Sequence, residues 1–103
     1  MQKIISAQDI SAAEYFKRSL KELGYTAETF TQTYNNVYST APVSVSTVRS
    51  WCTGRRSFAK TAAITVQRVA HILEDPNSSI TDFERYAGIM YHLINGCRIP
   101  IYE

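Results

Sequence analysis

Three of the four glycines in this chain, Gly24, Gly54 and Gly96, each follow a run of apolar residues spaced three and four apart. Apolar residues at that spacing share one face of an α-helix, and a glycine just past the last turn adopts the left-handed conformation that ends it. The runs also begin as helices begin. Ser11-Ala12-Ala13-Glu14 is a capping box ahead of Ala13, Phe16, Leu20 and Leu23, which predicts a first helix over 12–23. Thr26 caps a second over 27–37, with Phe30, Tyr34, Val37 and Tyr38 on one face. Ser44 or Ser46 caps a third over 45–53, with Val48, Trp51 and Cys52 turned inward. Lys60 or Thr61 opens a fourth that runs to Glu74 on a stripe of Ile64, Val66, Val69, Ala70 and Leu73, and Asp75-Pro76-Asn77-Ser78-Ser79 breaks it. A second capping box, Thr81-Asp82-Phe83-Glu84, starts a fifth over 82–95. Phe83, Ala87, Met90 and Ile94 lie on one of its faces, with Tyr86, Ile89 and Leu93 beside them. The ends, Lys3–Ser6 and Cys97–Tyr102, leave room for a pair of short edge strands.

A chain of 103 residues, 45% of them hydrophobic, builds one core and is too short for two. Seven Tyr and four Phe supply large apolar area, so no covalent staple is needed. Cys52 and Cys97 stand far apart and lack partners at zinc spacing, which reads as two free thiols in a reducing compartment, with a single disulfide as the alternative. No apolar run approaches the roughly 18 residues of a membrane span. The start turns polar at once, unlike a secretory leader. We therefore expect one all-α domain over 1–103, cytoplasmic and away from membranes.

Net charge is only +2, and its distribution says more than its size. Between Glu28 and Glu74 there is no acid, while Arg49, Arg55, Arg56, Lys60 and Arg68 fall in that interval. An unopposed positive segment fits either a solvated face or the footprint of a polyanion. The motif inside it favours the polyanion. Ser44–Arg56 reads as a hydroxyl-capped helix with an apolar back, a glycine stop and a basic pair just beyond. A reading helix in the DNA major groove needs such a layout: an anchored back, small polar groups in front, and phosphate-binding groups at its ends.

The run Val43-Ser44-x-Ser46-Thr47-Val48-x-x-Trp51-x-x-Gly54-x-Arg56 resembles the Cro and phage-repressor (Xre-like) helix-turn-helix family. The resemblance covers about residues 11–74 and implies a lambda-repressor-like bundle of about five helices. It departs from the family in three places. Ala27 and Glu28 stand where a Gln usually opens the second helix, Thr53 replaces the Asn before the glycine, and the segment Tyr34–Val43 is longer than the usual turn.

The resemblance implies a sequence-specific transcriptional regulator, a repressor of phage, plasmid or mobile-element type, that binds double-stranded DNA as a homodimer. Val45, Ser46 and Ser50 would read bases, with Val45 against a thymine methyl and Thr53 on the same exposed side. Arg49 is the one side chain of this helix able to grip a guanine, or else a phosphate. Ser44, Thr47, Arg55, Arg56 and Lys60 form the expected phosphate set, and five such contacts imply a log–log salt slope of about −4 to −5 per subunit. Residues 80–103 extend past the family frame and are the candidate dimerisation extension. The competing reading is a protein-interaction module, such as an antitoxin, that uses the Tyr/Asn-rich loop 34–42 or the fifth helix. Trp51, His71 and His92 read as structural, and Asp82 with Glu84 as a helix-start acid pair. The sequence presents no nucleophile–base pair, glycine-rich phosphate loop or metal spacing, so we expect no enzyme, no cofactor and no metal.

Overall fold

A computed structural model describes residues 3–102 and consists mostly of helices. The order is β1 (Ile4–Ile10), α1 (Ala12–Glu22), α2 (Ala27–Val37), α3 (Val45–Thr53), a 3-10 turn (Phe58–Lys60), α4 (Ala63–Glu74), α5 (Phe83–Asn95) and β2 (Cys97–Tyr102). The second and third helices lie where their caps place them. Thr26 accepts from the Thr29 amide while the Thr29 hydroxyl accepts from the Thr26 amide, closing a capping box. Ser44, not Ser46, caps α3 by accepting from the Thr47 amide at 3.1 Å.

At the other three starts the local signals hold only in part. Ser11 does accept from the Glu14 amide, but the Glu14 carboxylate turns outward to Arg18 and leaves the box half made. Asp82 precedes α5 without any side-chain cap bond. The fourth helix starts later than expected, at Ala63, because Ser57 caps a separate 3-10 turn and Thr61 is already extended.

Phe16 of α1 is the centre of the core. It meets Phe30 of α2 at 5.3 Å, Trp51 of α3 at 6.0 Å and Phe58 of the 3-10 turn at 5.3 Å, all near edge-to-face. Such pairs add about 0.5–1.5 kcal/mol each beyond the area they bury. Val66, Val69, Ala70, Ile72 and Leu73 close the core from α4. On α5 the inward face is Tyr86, Met90 and Leu93 with Ile89 beside it, while Phe83 and Ile94 are exposed. This corrects the expected Phe83–Ala87–Met90–Ile94 face. Leu23 and Ile64 also lie outside the core, at 50% and 51% exposure.

The terminal strands form an antiparallel ribbon longer than the sequence implied at its first strand. Ile10 pairs with Cys97, Asp9 with Arg98 and Ala7 with Pro100, and a bulge at Ile5 interrupts the register. Pro100 has no N–H to give, and a two-stranded ribbon tolerates it at an edge. Residues 5–9 are exposed, and the molecule measures 46 Å along its long axis against 29 and 25 Å across.

The long segment between α2 and α3 neither extends the helix nor swings free. Asn35 grips Val43 with both ends of its amide, donating to the carbonyl at 2.9 Å and accepting from the N–H at 2.8 Å. Tyr38 anchors the near end against His71. His71 is buried in α4, and its Nε2 lies 2.7 Å from the Ser78 carbonyl oxygen. A carbonyl only accepts, so Nε2 carries a proton toward Ser78, while Nδ1 bonds the Tyr38 hydroxyl. The Ser78 hydroxyl and the Tyr86 hydroxyl continue the chain of bonds into the loop before α5. Replacing His71 with Leu strands these partners, and we expect a loss of about 1–3 kcal/mol, read as a lower urea midpoint with an unchanged slope.

Candidate nucleic-acid interface

The site is built on α3. Val48 and Trp51 are buried on its back, and Trp51 lies against Phe58 at a ring distance of 4.9 Å. Phe58 is the anchor that sequence reasoning missed. A single large apolar residue in a polar stretch leaves no periodic signature, yet its burial pins the segment after Gly54 to the core. Gly54 itself turns the chain with φ +80°, and the Arg56 amide returns to the Ser50 carbonyl at 3.3 Å. Arg55 and Arg56 are thereby held on a short loop between two buried aromatics. Both are exposed, as is Lys60, and among the described residues none of the three has an acidic partner.

Four of the five residues expected to hold phosphate meet in one place. Ser44, Thr47, Arg56 and Lys60 line an open hollow of about 530 Å³ at the start of α3, together with Pro42, Val43, Trp51, Thr61 and Thr65. Arg55 is not among its walls. The hollow is free of acids because the surrounding sequence is. Arg68, the fifth cation of the acid-free interval, is spent elsewhere. Its guanidinium sits 5.0 Å from the centre of the Tyr38 ring.

The outward side of α3 is less free than its sequence implied. Ser50 donates to the Ser46 carbonyl at 2.9 Å, Thr53 to the Ser50 carbonyl at 3.3 Å, and Thr47 bonds the Ser44 hydroxyl at 3.0 Å. Hydroxyls that donate to their own helix can still accept from another group, but must rotate before they donate to one. Ser46 is exposed and Val45 half-buried. Arg49 is exposed but paired with Glu28 in the first turn of α2. The Glu28 carboxyl is held below its ordinary range, first by its own backbone amide and then by Arg49. So Glu28 occupies the one guanidinium on the outward side of α3.

A larger groove of about 1230 Å³ runs between α1, the start of α2 and α3, lined by Lys17, Lys21, Tyr25, Arg49 and Cys52 among others. Its thiol is shielded, since burial pushes Cys52 up against the pull of Lys17. Cys52 and Cys97 are both free thiols. Among the described residues no three His, Cys, Asp or Glu side chains come together as a metal site, and no helix is long and apolar enough to cross a membrane. Of the aromatic residues in the competing interaction reading, Tyr38 is tied to His71 and Tyr86 is fully buried, while Tyr91 is 59% exposed. No family model matches the chain, and neither a curated protein nor a solved structure matches it.

Proposed function

We propose that the protein is a sequence-specific DNA-binding regulator of the Cro/repressor type, with a lambda-repressor-like helix-turn-helix formed by α2 and α3. The observation that carries this reading is the convergence of Ser44, Thr47, Arg56 and Lys60 on one acid-free hollow at the start of α3. A phosphate seated there would fix α3 along the groove, with Val45, Ser46, Ser50 and Thr53 toward the bases and Arg55 on a neighbouring phosphate. A cytoplasmic setting agrees with two unpaired thiols.

One such module makes a small interface, so we propose a homodimer spanning two half-sites. Its contact would be the outward stripe of α5, where Phe83, Ala87, Tyr91 and Ile94 recur at helical spacing and are exposed. The same stripe is what favours the competing reading, a module that binds another protein.

Titration of a randomised duplex pool in gel-shift assays at low salt tests the proposal. The wild-type protein retains DNA and selects a subset of sequences, and failure to retain any duplex at low salt sinks it. Glu28→Gln removes a carboxylate from the interface and releases Arg49. We expect it to raise duplex affinity severalfold and to sharpen preference for guanine at one position of each half-site. Unchanged affinity and unchanged preference would place Arg49 outside the interface.

A further inference from the structure

Trp51 is 2% exposed, and its indole Nε1–H has no hydrogen-bond partner. A sealed N–H without an acceptor is a cost that a phenylalanine in the same place would not carry. The aromatic contacts with Phe16 and Phe58 use only the rings. They explain why an aromatic side chain stands here, and not why this one ends in a donor.

Trp51 also forms part of the wall of two hollows. One is the phosphate-set hollow with Ser44, Thr47, Arg56 and Lys60. The other, of about 260 Å³, lies at the start of α1 beside Ser11, Ser57 and again Arg56. Arg56 is thus common to both, exposed, and without an acidic partner among the described residues.

We infer that the missing acceptor is a phosphate oxygen, and that Trp51 is a buried donor of an oxyanion seat at the start of α3. Arg56, which lines both hollows with Trp51, engages the phosphate and the wall shifts to open the N–H to one oxygen. The Ser44 and Thr47 hydroxyls and the Lys60 ammonium hold the others. A neutral N–H in a dry wall is a strong partner for an anion, because no water competes for it. The inference deepens the DNA reading and takes its ligand, a phosphodiester, from it. The chemistry of the seat is the same for free inorganic phosphate.

Trp51 is the only tryptophan, so the ¹⁵N-labelled full chain shows one indole N–H resonance. That resonance is followed during titration with a short mixed-sequence duplex, with inorganic phosphate, and with sodium chloride at matched ionic strength. We expect a saturable downfield movement with duplex and with phosphate, none with chloride, and none in Arg56→Gln. Trp51→Phe keeps a ring and deletes the donor. With its amide spectrum still that of a folded chain, it should bind duplex about tenfold more weakly. A duplex that binds while the indole stays still overturns the seat and leaves the DNA reading standing. Phosphate that moves the indole while no duplex binds upholds the seat and overturns the DNA reading. No response to either ligand, or wild-type affinity in Trp51→Phe, overturns the seat.

Discussion

The double variant Arg55→Ala, Arg56→Ala is expected to bind duplex DNA roughly a hundredfold more weakly at about 0.1 M salt, whatever the sequence of the duplex. Each guanidinium that neutralises a phosphate releases condensed counterions, so the log–log salt slope should flatten by about two per subunit. The fold should survive intact. Both side chains are exposed and neither joins an ion pair among the described residues, so stability should move by no more than about 0.5 kcal/mol. The bond that shapes this loop runs from the Arg56 backbone amide to Ser50, and alanine keeps it. Affinities measured at several salt concentrations, beside a thermal melt, separate the electrostatic loss from unfolding. An unchanged slope would show that the basic pair does not meet phosphate, and the polyanion reading of the acid-free segment would fall with it.

Gly96→Ala should be the most damaging single methyl in the chain. Gly96 has φ +79° and ψ −174°, a region that residues with a Cβ essentially never occupy. A Cβ there would also lie 2.3 Å from the Ile10 carbonyl oxygen and close to Ser11 and Ala12. These are backbone atoms at the joint of β1, α1, α5 and β2, and no side chain can yield to relieve the clash. The backbone conformation alone costs about 1–3 kcal/mol, and the overlap raises the total to about 3 kcal/mol or more. For a domain of this size we expect the unfolding midpoint to drop by roughly 15 °C in a thermal melt followed by circular dichroism. A shift within about 2 °C would mean that the ribbon separates from the bundle at little cost.

How far each element was legible follows from how local its cause is. The bounds of α2 and α3 could be read because a cap sits within three residues of the amide it satisfies. The stops at Gly24 and Gly54 were legible because both take positive φ, which few residues other than glycine adopt. By contrast, α5 carries apolar residues nearly all round. Periodicity there could not choose between the Phe83–Ile94 flank and the Tyr86–Leu93 flank, and packing against α1 and α4 chose the second. The start of α4 was misplaced because Ser57 captures a 3-10 turn around buried Phe58 before the helix begins.

The candidate site divides along the same line. Its residue types and its lack of acids stand in the chain itself: a hydroxyl cap, an apolar back, a glycine stop, two arginines and a lysine, with no acid between Glu28 and Glu74. Sequence by itself also determined that α3 is a helix with one buried side, since caps and helical spacing act over a few residues. Only tertiary structure decided which of those groups work together. It brought Lys60 beside Ser44, set Arg68 against Tyr38, tied Arg49 to Glu28 across 21 positions, and sealed the Trp51 N–H without a partner. Those pairings depend on how α1, α2, α3 and the Phe58 turn close around Phe16, and no local rule of spacing reaches across that core.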